Sequence, residues 1–362
     1  MAVIFAAGGT GGHIFPALAV AEELKEICPG ERIIFVGVGK EIESKLITSR
    51  GYELEVIPFV PLTGKGVTGV LKSLAALPRA LQHSFAYYGA VRPRVVIGFG
   101  GYPTFIPLLT ARLMGVPRIV HEQNVEVGLA NRVLALMADH VFAVHRARGF
   151  WRTRAVTYLS NPVRRAFYDI PDWESPPAGA PFRLLIVGGS QGAQSLNNAV
   201  LECLPAWKGL PLEIVHQSGS LDLARVTKGY QDAGWGRALV CPFIDDMASA
   251  YAAAHLVICR AGALTVAEVS AAGRPALFVP LHIARGHQAF NVEHLLESKA
   301  ARVYLQQPGL TENLAAAVGE LIAEPAKMAQ LGAKAREVGR AGGIRSAEQI
   351  AQTVAAFIRA SE

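Results

Sequence analysis

Short apolar runs alternate with segments of helical length along almost the whole chain. Runs of this kind predict buried strands near residues 2–7, 32–37, 53–57, 94–99, 117–121 and 139–144 in the first half, and near 182–188, 212–217, 238–241, 256–259, 275–279 and 301–305 in the second. Such alternation is typical of parallel sheets covered by helices on both faces. The last stretch, Ser346 to Arg359, predicts a terminal helix.

The pattern occurs twice. Val3–Ala7 leads into the glycine turn Gly8–Gly12, and Leu184–Val187 leads into Gly188–Gly192. A chain of 362 residues also exceeds the length at which one core keeps growing. We therefore predict two similar α/β domains that face each other with the substrate chemistry between them, joined by the proline-rich linker 169–181 with a hinge nearby.

Composition indicates a globular protein, because 51% of the residues are hydrophobic and 18% are charged. The four cysteines are scattered and form no C-x-x-C pair, which argues against a zinc site or a disulfide framework and suits a reducing cytoplasm. No signal peptide is expected, and no apolar run approaches the roughly 20 residues of a spanning helix. We expect a protein that is soluble or that sits on a membrane without crossing it.

The net charge of +6 is unevenly distributed, since no Asp or Glu occurs from Val56 through His121. Basic residues in this window are Lys65, Lys72, Arg79, Arg92, Arg94, Arg112 and Arg118, and apolar residues at helical spacing are Val70, Leu71, Leu74, Leu77, Leu81 and Phe85, interrupted by Pro78. Two interpretations stay open: contact with an anionic membrane surface, or an ordinary helix that buries its stripe in its own domain. No nucleic acid is expected, because no RNA- or DNA-binding motif accompanies the charge.

The first glycine turn, Gly8–Gly12, ends a strand just before a helix, where amide groups and the helix dipole favour an anion. It matches neither G-x-G-x-x-G nor the P-loop, which disfavours NAD and ATP. We favour anion contact over a simple tight turn because the glycines exceed what a turn requires. His13 at the helix entrance is a candidate base or hydrogen-bond donor, with a capping role as the alternative. In the second turn, the Ser190 hydroxyl suits a phosphate oxygen.

Other polar groups follow later strands. His121-Glu122-Gln123-Asn124 ends a strand where site residues of open α/β sheets collect, and it is not the H-E-x-x-H zinc motif. Glu268 follows a third strand-turn-helix and is either a ribose ligand or a solvated surface group. The pair Asp245-Asp246 is interpreted as a helix cap rather than a metal site, and no other carboxylate cluster suggests a metal.

Eight motifs now converge on one family. They are Gly8–Ala17, Gly98–Tyr102, His121–Asn124, Asn161–Arg164, Gly188–Ala193, His216–Gly219, Phe243–Met247 and Arg260–Glu268. In sequence, order and near full-length coverage they resemble the MurG glycosyltransferase family. The chain departs from that family at Ser160, where glycine is common, and at His287-Gln288, where some members carry a glutamine pair. The second departure leaves the role of His287 open.

The resemblance implies a GT-B fold, in which two Rossmann-like parallel-sheet domains face a central cleft. Residues 1–162 would form the N-terminal acceptor-binding domain and 163–345 the C-terminal domain that binds UDP-N-acetylglucosamine (UDP-GlcNAc), with the C-terminal helix 346–362 free to pack on the first. The implied reaction is inverting transfer of GlcNAc from UDP-GlcNAc to the C4 hydroxyl of N-acetylmuramic acid (MurNAc) in lipid I. It forms lipid II for peptidoglycan synthesis, and so serves cell shape and division. The implied enzyme uses no cofactor or metal and is peripheral at the cytoplasmic face of the cell membrane.

The resemblance also assigns site residues. The implied donor-binding residues are Thr10, Gly11, Gly12, Asn124, Arg164, Ser190, Ile244, Ala263, Leu264, Thr265, Val266, Ala267, Glu268 and Gln288, and the implied acceptor-binding residues are Gly9, His13, Gly101 and Tyr102. His13 is the first choice for the catalytic base, since the ordinary histidine pKa of about 6.5 suits proton transfer near neutrality, and Glu122 is the second.

Three other functions compete with this interpretation. A UDP-GlcNAc 2-epimerase shares the fold and the donor but has no lipid acceptor. A non-catalytic nucleotide-sugar sensor at the membrane would bind the donor without turnover. A dehydrogenase is the least favoured, because the dinucleotide glycine spacing is absent.

Overall fold

The computed structural model describes residues 2–57, 66–150, 155–189, 192–281, 287–341 and 343–361, with the backbone alone for 66–74 and 287. The chain divides into two compact units, residues 1–164 with 344–362 and residues 165–343. Each unit is built on one parallel sheet, so the two-sheet α/β architecture predicted from the apolar runs is confirmed.

The strands of the first unit pair in the order β3-β2-β1-β4-β5-β6-β7 and those of the second in the order β10-β9-β8-β11-β12-β13. Their bounds are β1 Ala2–Ala6, β2 Arg32–Gly37, β3 Glu53–Val56, β4 Pro93–Gly98, β5 Arg118–Glu122, β6 His140–Val144, β7 Val156–Leu159, β8 Phe182–Val187, β9 Leu212–Gln217, β10 Leu239–Cys241, β11 Leu256–Cys259, β12 Ala276–Phe278 and β13 Arg302–Val303. Every strand predicted above is present. Strand β7 was missed, because this short edge strand leaves Tyr158 half exposed and so has no continuous apolar run.

Helices cover both sheets. Their bounds are α1 Gly11–Ile27, α2 Glu41–Thr48, α3 Gly66–Val91, α4 Phe105–Leu113, α5 Leu129–Ala135, α6 Arg165–Tyr168, α7 Gln194–Trp207, α8 Leu223–Asp232, α9 Met247–Ala253, α10 Ala263–Ala272, α11 His287–Glu297, α12 Leu310–Ala323, α13 Pro325–Gly339 and α14 Ser346–Ala360. Helix α9 begins at the cap Asp246, whose carboxylate accepts from the Ser249 amide at 3.1 Å, so the capping interpretation of that residue is confirmed. In the described part of the chain, no helix has the length and apolarity to cross a bilayer.

The terminal helix α14 belongs to the core of the first unit. It packs on α1, and Ile350, Val354 and Ile358 are buried in the same apolar cluster as Phe5 of β1. An ion pair of 3.1 Å between Arg345 and Glu23 joins the start of α14 to α1. The sequence-predicted terminal helix thus covers the sheet from which the first glycine turn emerges.

The basic window from Val56 to His121 is partly internal structure. Helix α3 continues through Pro78, and Leu77 and Leu81 pack on the core of their own unit. Arg94 pairs with Glu31 at 3.3 Å and Arg118 with Asp139 at 2.7 Å. Lys65 and the side chains of Val70, Leu71, Lys72 and Leu74 lie outside the described residues. The exposed cations of the described window therefore include Arg79, Arg92 and Arg112.

The proline-rich segment 169–181 begins as part of the second unit. Arg336 donates through Nη2 to the carbonyls of Ile170 and Pro171 at 2.9 and 2.6 Å, and the Trp173 indole donates to the His255 carbonyl at 2.8 Å. These bonds tie the start of the segment to later parts of the second unit. The segment thus lies within that unit, residues 165–343, and the prediction that it is the linker between the two domains is wrong.

Candidate active site

His13 lies in the first turn of α1 with a defined tautomer. Its Nδ1 is 2.9 Å from the carbonyl oxygen of Phe99, at the end of β4. Because a carbonyl oxygen only accepts, Nδ1 carries the proton in this bond, and Nε2 of the neutral ring carries the lone pair. Burial lowers the pKa of His13 below its ordinary 6.5, and the nearby Glu122 charge and the bond to Phe99 oppose that shift in part. The ring is therefore neutral at pH 7, with Nε2 ready to accept a proton.

Two glycines keep space open beside this ring. Gly100 and Gly101 have φ of 84° and 76°, a region that other residues rarely adopt. A β-carbon on Gly101 would lie 3.0 Å from His13 Nε2, and one on Gly100 would lie 3.4 Å from Cε1. Gly101 also precedes the 3-10 turn Tyr102–Thr104, and its carbonyl accepts from the Thr104 hydroxyl at 2.8 Å. The glycine pair thus leaves the proton-accepting edge of His13 accessible to a ligand.

Glu122 ends β5 and is 2% exposed. Its Oε1 accepts from the backbone amide of Asn124 at 2.9 Å and from the side-chain amide of Asn124 at 3.2 Å. Its Oε2 accepts from the Gly128 amide at 3.1 Å and from the Asn131 side chain at 2.9 Å. Four donors thus occupy both oxygens of the carboxylate. Glu122 therefore orders the loop after β5 and acts on His13 through its charge, which favours His13 over Glu122 as the base.

Several of the predicted site residues line one cavity of about 470 Å³ in the first unit. They are His13, Gly101, Tyr102, Glu122 and Asn124, joined by the apolar side chains of Phe105, Leu129 and Val133. The strand order explains why these residues lie together, because β1, β4 and β5 are neighbours and their carboxyl ends lie at the same edge of the sheet. The cavity has a polar end around His13 and an apolar wall formed by α4 and α5.

The first glycine turn differs from the predicted external anion cradle. The Gly9 amide donates to the Glu43 carboxylate at 2.6 Å, and the Gly9 carbonyl accepts from Lys40 Nζ at 3.0 Å. The anion held by Gly9 is thus a side chain of the protein. Gly11 and Gly12 follow the extended cap Thr10 and begin α1, where the first amides have no acceptor within the helix. These later amides are the part of the turn suited to an external anion.

Arg164 is the last residue of the first segment of the first unit, and it lies near α1. Its guanidinium is 5.9 Å from the ring centre of Phe15. Burial raises the pKa of Glu22, and the Arg164 charge partly opposes that shift. Arg164 thus places a cation beside the first turns of the helix that carries His13.

Six of the predicted donor residues of the second unit lie in the first two turns of α10. This helix begins after Gly262, and Ala263, Leu264, Thr265 and Val266 form a first turn that carries no acidic side chain. Ala267 and Glu268 follow in the next turn and are partly exposed, while Ile244 precedes α9 and is also partly exposed. Gln288 in α11 accepts through Oε1 from the Leu281 amide at 2.9 Å. Ser190 and the side chain of His287 lie outside the described residues.

A buried network supports the second glycine turn. His216 is fully buried, and its two ring nitrogens lie 3.0 Å from Asn197 Oδ1 and 3.0 Å from the Tyr230 hydroxyl. Asn197 donates in turn to the Ser218 carbonyl at 2.9 Å, and Gln217 donates to the Gly189 carbonyl at 2.9 Å. Two side chains of the motif His216–Gly219, those of His216 and Gln217, thus support the loops at the ends of β8 and β9.

Sequence reasoning missed three residues that hold the site in place. The Phe99 carbonyl sets the tautomer of His13, Asn131 binds Glu122, and Glu43 binds Gly9. The available signal for Glu43 was a glycine near the carboxyl ends of two neighbouring strands, Gly8 after β1 and Gly37 in β2. Such a pair indicates that something packs against both backbones.

Comparisons with known proteins agree with this geometry. The chain matches the glycosyltransferase family 28 N-terminal domain over residues 3–143 and the C-terminal domain of the same family over residues 183–352. A UDP-N-acetylglucosamine–N-acetylmuramyl-(pentapeptide) pyrophosphoryl-undecaprenol N-acetylglucosamine transferase from Syntrophotalea carbinolica is 39% identical over 94% of this chain and 96% of its own length. The enzyme of the same name from Myxococcus xanthus is 40% identical over 94% of this chain and 89% of its own length.

Comparison with solved structures indicates the same family. The crystal structure of Acinetobacter baumannii MurG matches 98% of this chain and 99% of its own, with a TM-score of 0.75 and 30% identity. The glycotransferase of kitacinnamycin, at 19% identity and a TM-score of 0.70, shares the fold. The chain thus has the GT-B fold and belongs to the MurG family of UDP-N-acetylglucosamine–N-acetylmuramyl-(pentapeptide) pyrophosphoryl-undecaprenol N-acetylglucosamine transferases.

Proposed function

We propose that this protein is the inverting glycosyltransferase that moves GlcNAc from UDP-GlcNAc to the C4 hydroxyl of MurNAc in lipid I, forming lipid II. The observation that carries the proposal is His13, a histidine whose Nδ1 is bonded to Phe99 and which lines one cavity with Gly101, Tyr102 and Asn124. A sugar hydroxyl placed there would meet a base and an apolar wall, as a saccharide attached to a lipid carrier requires.

The proposed chemical step is a single in-line displacement. The acceptor C4 oxygen attacks the anomeric carbon, the bond from that carbon to the diphosphate oxygen breaks, and UDP leaves with the bonding electrons. The hydroxyl proton passes to Nε2 of His13 and later to solvent. Glu122 favours the imidazolium that results, because its charge raises the pKa of His13. This assigns the base to His13 and an electrostatic role to Glu122.

The departing diphosphate needs positive electrostatics. We assign this role to Arg164, to the first amides of α1 after Thr10, and to those of α10, from Ala263 to Thr265. Both helix starts lack an acidic side chain that would compete with a phosphate. Ser190 is proposed to join them on the basis of its motif.

The remaining donor contacts follow the family motifs. Ile244 is proposed to contact uracil through its backbone and Glu268 to bind the ribose hydroxyls. Asn124 and Gln288 are proposed to bind the sugar. Because Oε1 of Gln288 already accepts from the Leu281 amide, its NH₂ group is the part that donates to a sugar oxygen.

The acceptor carries a long lipid, so we place the protein on the cytoplasmic face of the cell membrane, bound peripherally to an anionic surface. Arg112, Leu113 and Met114 at the end of α4 support this location, since Leu113 is 60% exposed and Met114 38% exposed. Arg92 lies beside Met114 in a surface cavity of about 480 Å³. Exposed arginines next to exposed apolar side chains suit a bilayer surface.

The test is release of UDP from UDP-GlcNAc by the purified protein, with and without a lipid I analogue, with identification of the sugar product. We expect release that depends on the analogue and yields a β-1,4-linked disaccharide. Formation of N-acetylmannosamine without the analogue would establish the epimerase instead. Binding of UDP-GlcNAc with no turnover in either condition would establish the sensor.

A further inference from the structure

Glu43 is a buried carboxylate that joins two loops of the first unit. Its side chain is fully buried, and four backbone amides point at it. Oε1 accepts from the Gly9 amide at 2.6 Å, and Oε2 accepts from the amides of Val38, Gly39 and Lys40 at 2.8, 2.9 and 3.3 Å. The first amide belongs to the turn between β1 and α1, and the other three belong to the turn between β2 and α2. One carboxylate therefore sets the separation of the two turns.

Two glycines leave open the space that this carboxylate occupies. A β-carbon on Gly8 would lie 2.6 Å from Glu43 Oε1, and one on Gly37 would lie closer still to Oε2. Neither glycine has a positive φ, so the space for the carboxylate, rather than backbone conformation, explains both residues. The surplus of glycine in the first turn is thus accounted for by an internal anion.

The anchored turn leads directly to the proposed base. Gly9 passes close to the 3-10 turn, since a β-carbon on it would lie 3.9 Å from Tyr102 Cε1. Gly9 is followed by the cap Thr10, whose carbonyl accepts from the His13 amide at 3.1 Å. The ring of His13 is held at Nδ1 by Phe99, and its backbone is held through this turn. The position of Nε2 therefore depends on both anchors.

Both polar backbone atoms of Gly9 are engaged inside the protein, the amide by Glu43 and the carbonyl by the ammonium of Lys40. We propose that Glu43 is a positioning residue for transfer: it holds the glycine turn so that His13 Nε2 and the first amides of α1 meet the reacting groups. On this basis Gly9 acts through the shape of the turn. The inference rests on the proposed function and adds to it a residue that does not touch the substrate.

The test compares Glu43→Gln with Glu41→Gln, which removes an exposed carboxylate two residues away in the same helix. The glutamine keeps the shape of the side chain but turns an NH₂ group toward amides that themselves donate. We expect Glu43→Gln to lower kcat about 10- to 100-fold, because misplacement near 1 Å costs this much, with KM for UDP-GlcNAc changed about two-fold or less. Glu41→Gln should match the parent in both constants.

A spectroscopic readout separates positioning from general stability. In ¹⁵N-glycine-labelled protein, the Gly9 amide proton should resonate downfield in the parent, because it donates to a carboxylate at short range, and should move upfield in Glu43→Gln. If Glu43→Gln does not fold, Gly8→Ala replaces it, because a β-carbon there would lie 2.6 Å from Oε1 of the same carboxylate and should displace it, which should lower kcat in the same way.

The outcomes are distinct from failure of the proposed function. A parent that gives no acceptor-dependent UDP release would overturn the function. An active parent with an equally active, folded Glu43→Gln would overturn the positioning role alone. A variant whose melting temperature falls while kcat, measured well below that temperature, stays at the parent value would show that Glu43 is only structural.

Discussion

His13 and Gly101 are in contact in a way that leaves no room for a side chain: a β-carbon on the glycine would lie 3.0 Å from Nε2 of the histidine. The space next to Nε2 is thus not filled by a side chain because position 101 is a glycine. This relationship ties a backbone turn after β4 to the chemistry of a residue at the start of α1, and it has a direct test.

We expect Gly101→Ala to lower kcat about 100-fold, because the methyl group occupies the space in which the acceptor hydroxyl would meet Nε2. The matched control is Gly115→Ala. That glycine has a similar φ of 73°, but a β-carbon on it would have no atom within 4 Å. Both variants carry backbone strain, and it is larger at Gly101, whose φ of 76° and ψ of 169° lie in a region that is essentially reserved for glycine. Turnover is therefore compared at a temperature where both variants are folded, and only Gly101→Ala should lose it. Equal loss in the two variants would show that strain, rather than contact with His13, is responsible.

Replacement of the base is a second test. His13→Ala should lower kcat by about 10²- to 10⁴-fold, the usual contribution of a positioned base, while the dissociation constant of UDP stays close to that of the parent. His83→Ala removes an exposed histidine of the same unit that pairs with Glu55, and it should leave turnover unchanged. Near-normal turnover of His13→Ala with both substrates saturating would remove the assignment of the base.

The pH dependence follows from the pKa of His13. The ring must be neutral to accept a proton, and burial holds its pKa below 6.5, so kcat/KM should fall with decreasing pH at a midpoint below 6.5. The charge of Glu122 raises this pKa, so Glu122→Gln should move the midpoint to still lower pH. Exposed Glu41→Gln should leave the midpoint unchanged. A midpoint above 6.5 in the parent, or an upward shift in Glu122→Gln, would contradict this account.

The ribose contact of Glu268 can be isolated by a double comparison. A hydrogen bond to a charged group contributes about 1.5–3 kcal/mol, so Glu268→Gln should weaken UDP binding about 10- to 100-fold. The weakening should largely disappear with 2′,3′-dideoxy-UDP, which lacks the hydroxyls. Calorimetric titration measures both, with exposed Glu312→Gln as the control. A loss of the same size for both nucleotides would place Glu268 away from the ribose.

The buried His216 should make stability depend on pH. Burial lowers its pKa to about 4 in the folded protein, whereas the unfolded chain has the ordinary value of 6.5. The unfolded state therefore binds a proton first as the pH falls. The free energy of unfolding should decline from pH 6.5 to pH 4, by about 3 kcal/mol for this group.

Urea unfolding followed by tryptophan fluorescence reports on this unit through Trp173, Trp207 and Trp235. His216→Gln keeps hydrogen-bonding capacity but does not titrate in this range. It should show a shallower decline between pH 6.5 and pH 4 than the parent. An identical slope would mean that other groups cause the acid sensitivity.

The local pattern of apolar and polar residues was sufficient to predict most of the strands. Parallel strands buried on both faces must be apolar along their length, so β1, β4, β8 and β11 could be predicted from the sequence without any knowledge of their partners. A helix cap such as Asp246 is equally local, because it bonds an amide three residues away. Strand β7 was not predicted, because it lies at the edge of the sheet, where a strand has a neighbour on one side only and its apolar pattern is weak.

The candidate site required the tertiary structure for a different reason. The motifs identified His13, Gly101 and Glu122 as a set, but a residue 86 positions away decides which nitrogen of His13 is free. The anion at the glycine turn was attributed to a ligand and proved at Gly9 to be Glu43, 34 residues away. By itself the sequence determined the strands, the helices and the family motifs, because these depend on residues close together in the chain. The tautomer of His13 and the occupant of the turn were decided by contacts between distant segments, which only the folded sheet brings into hydrogen-bonding range.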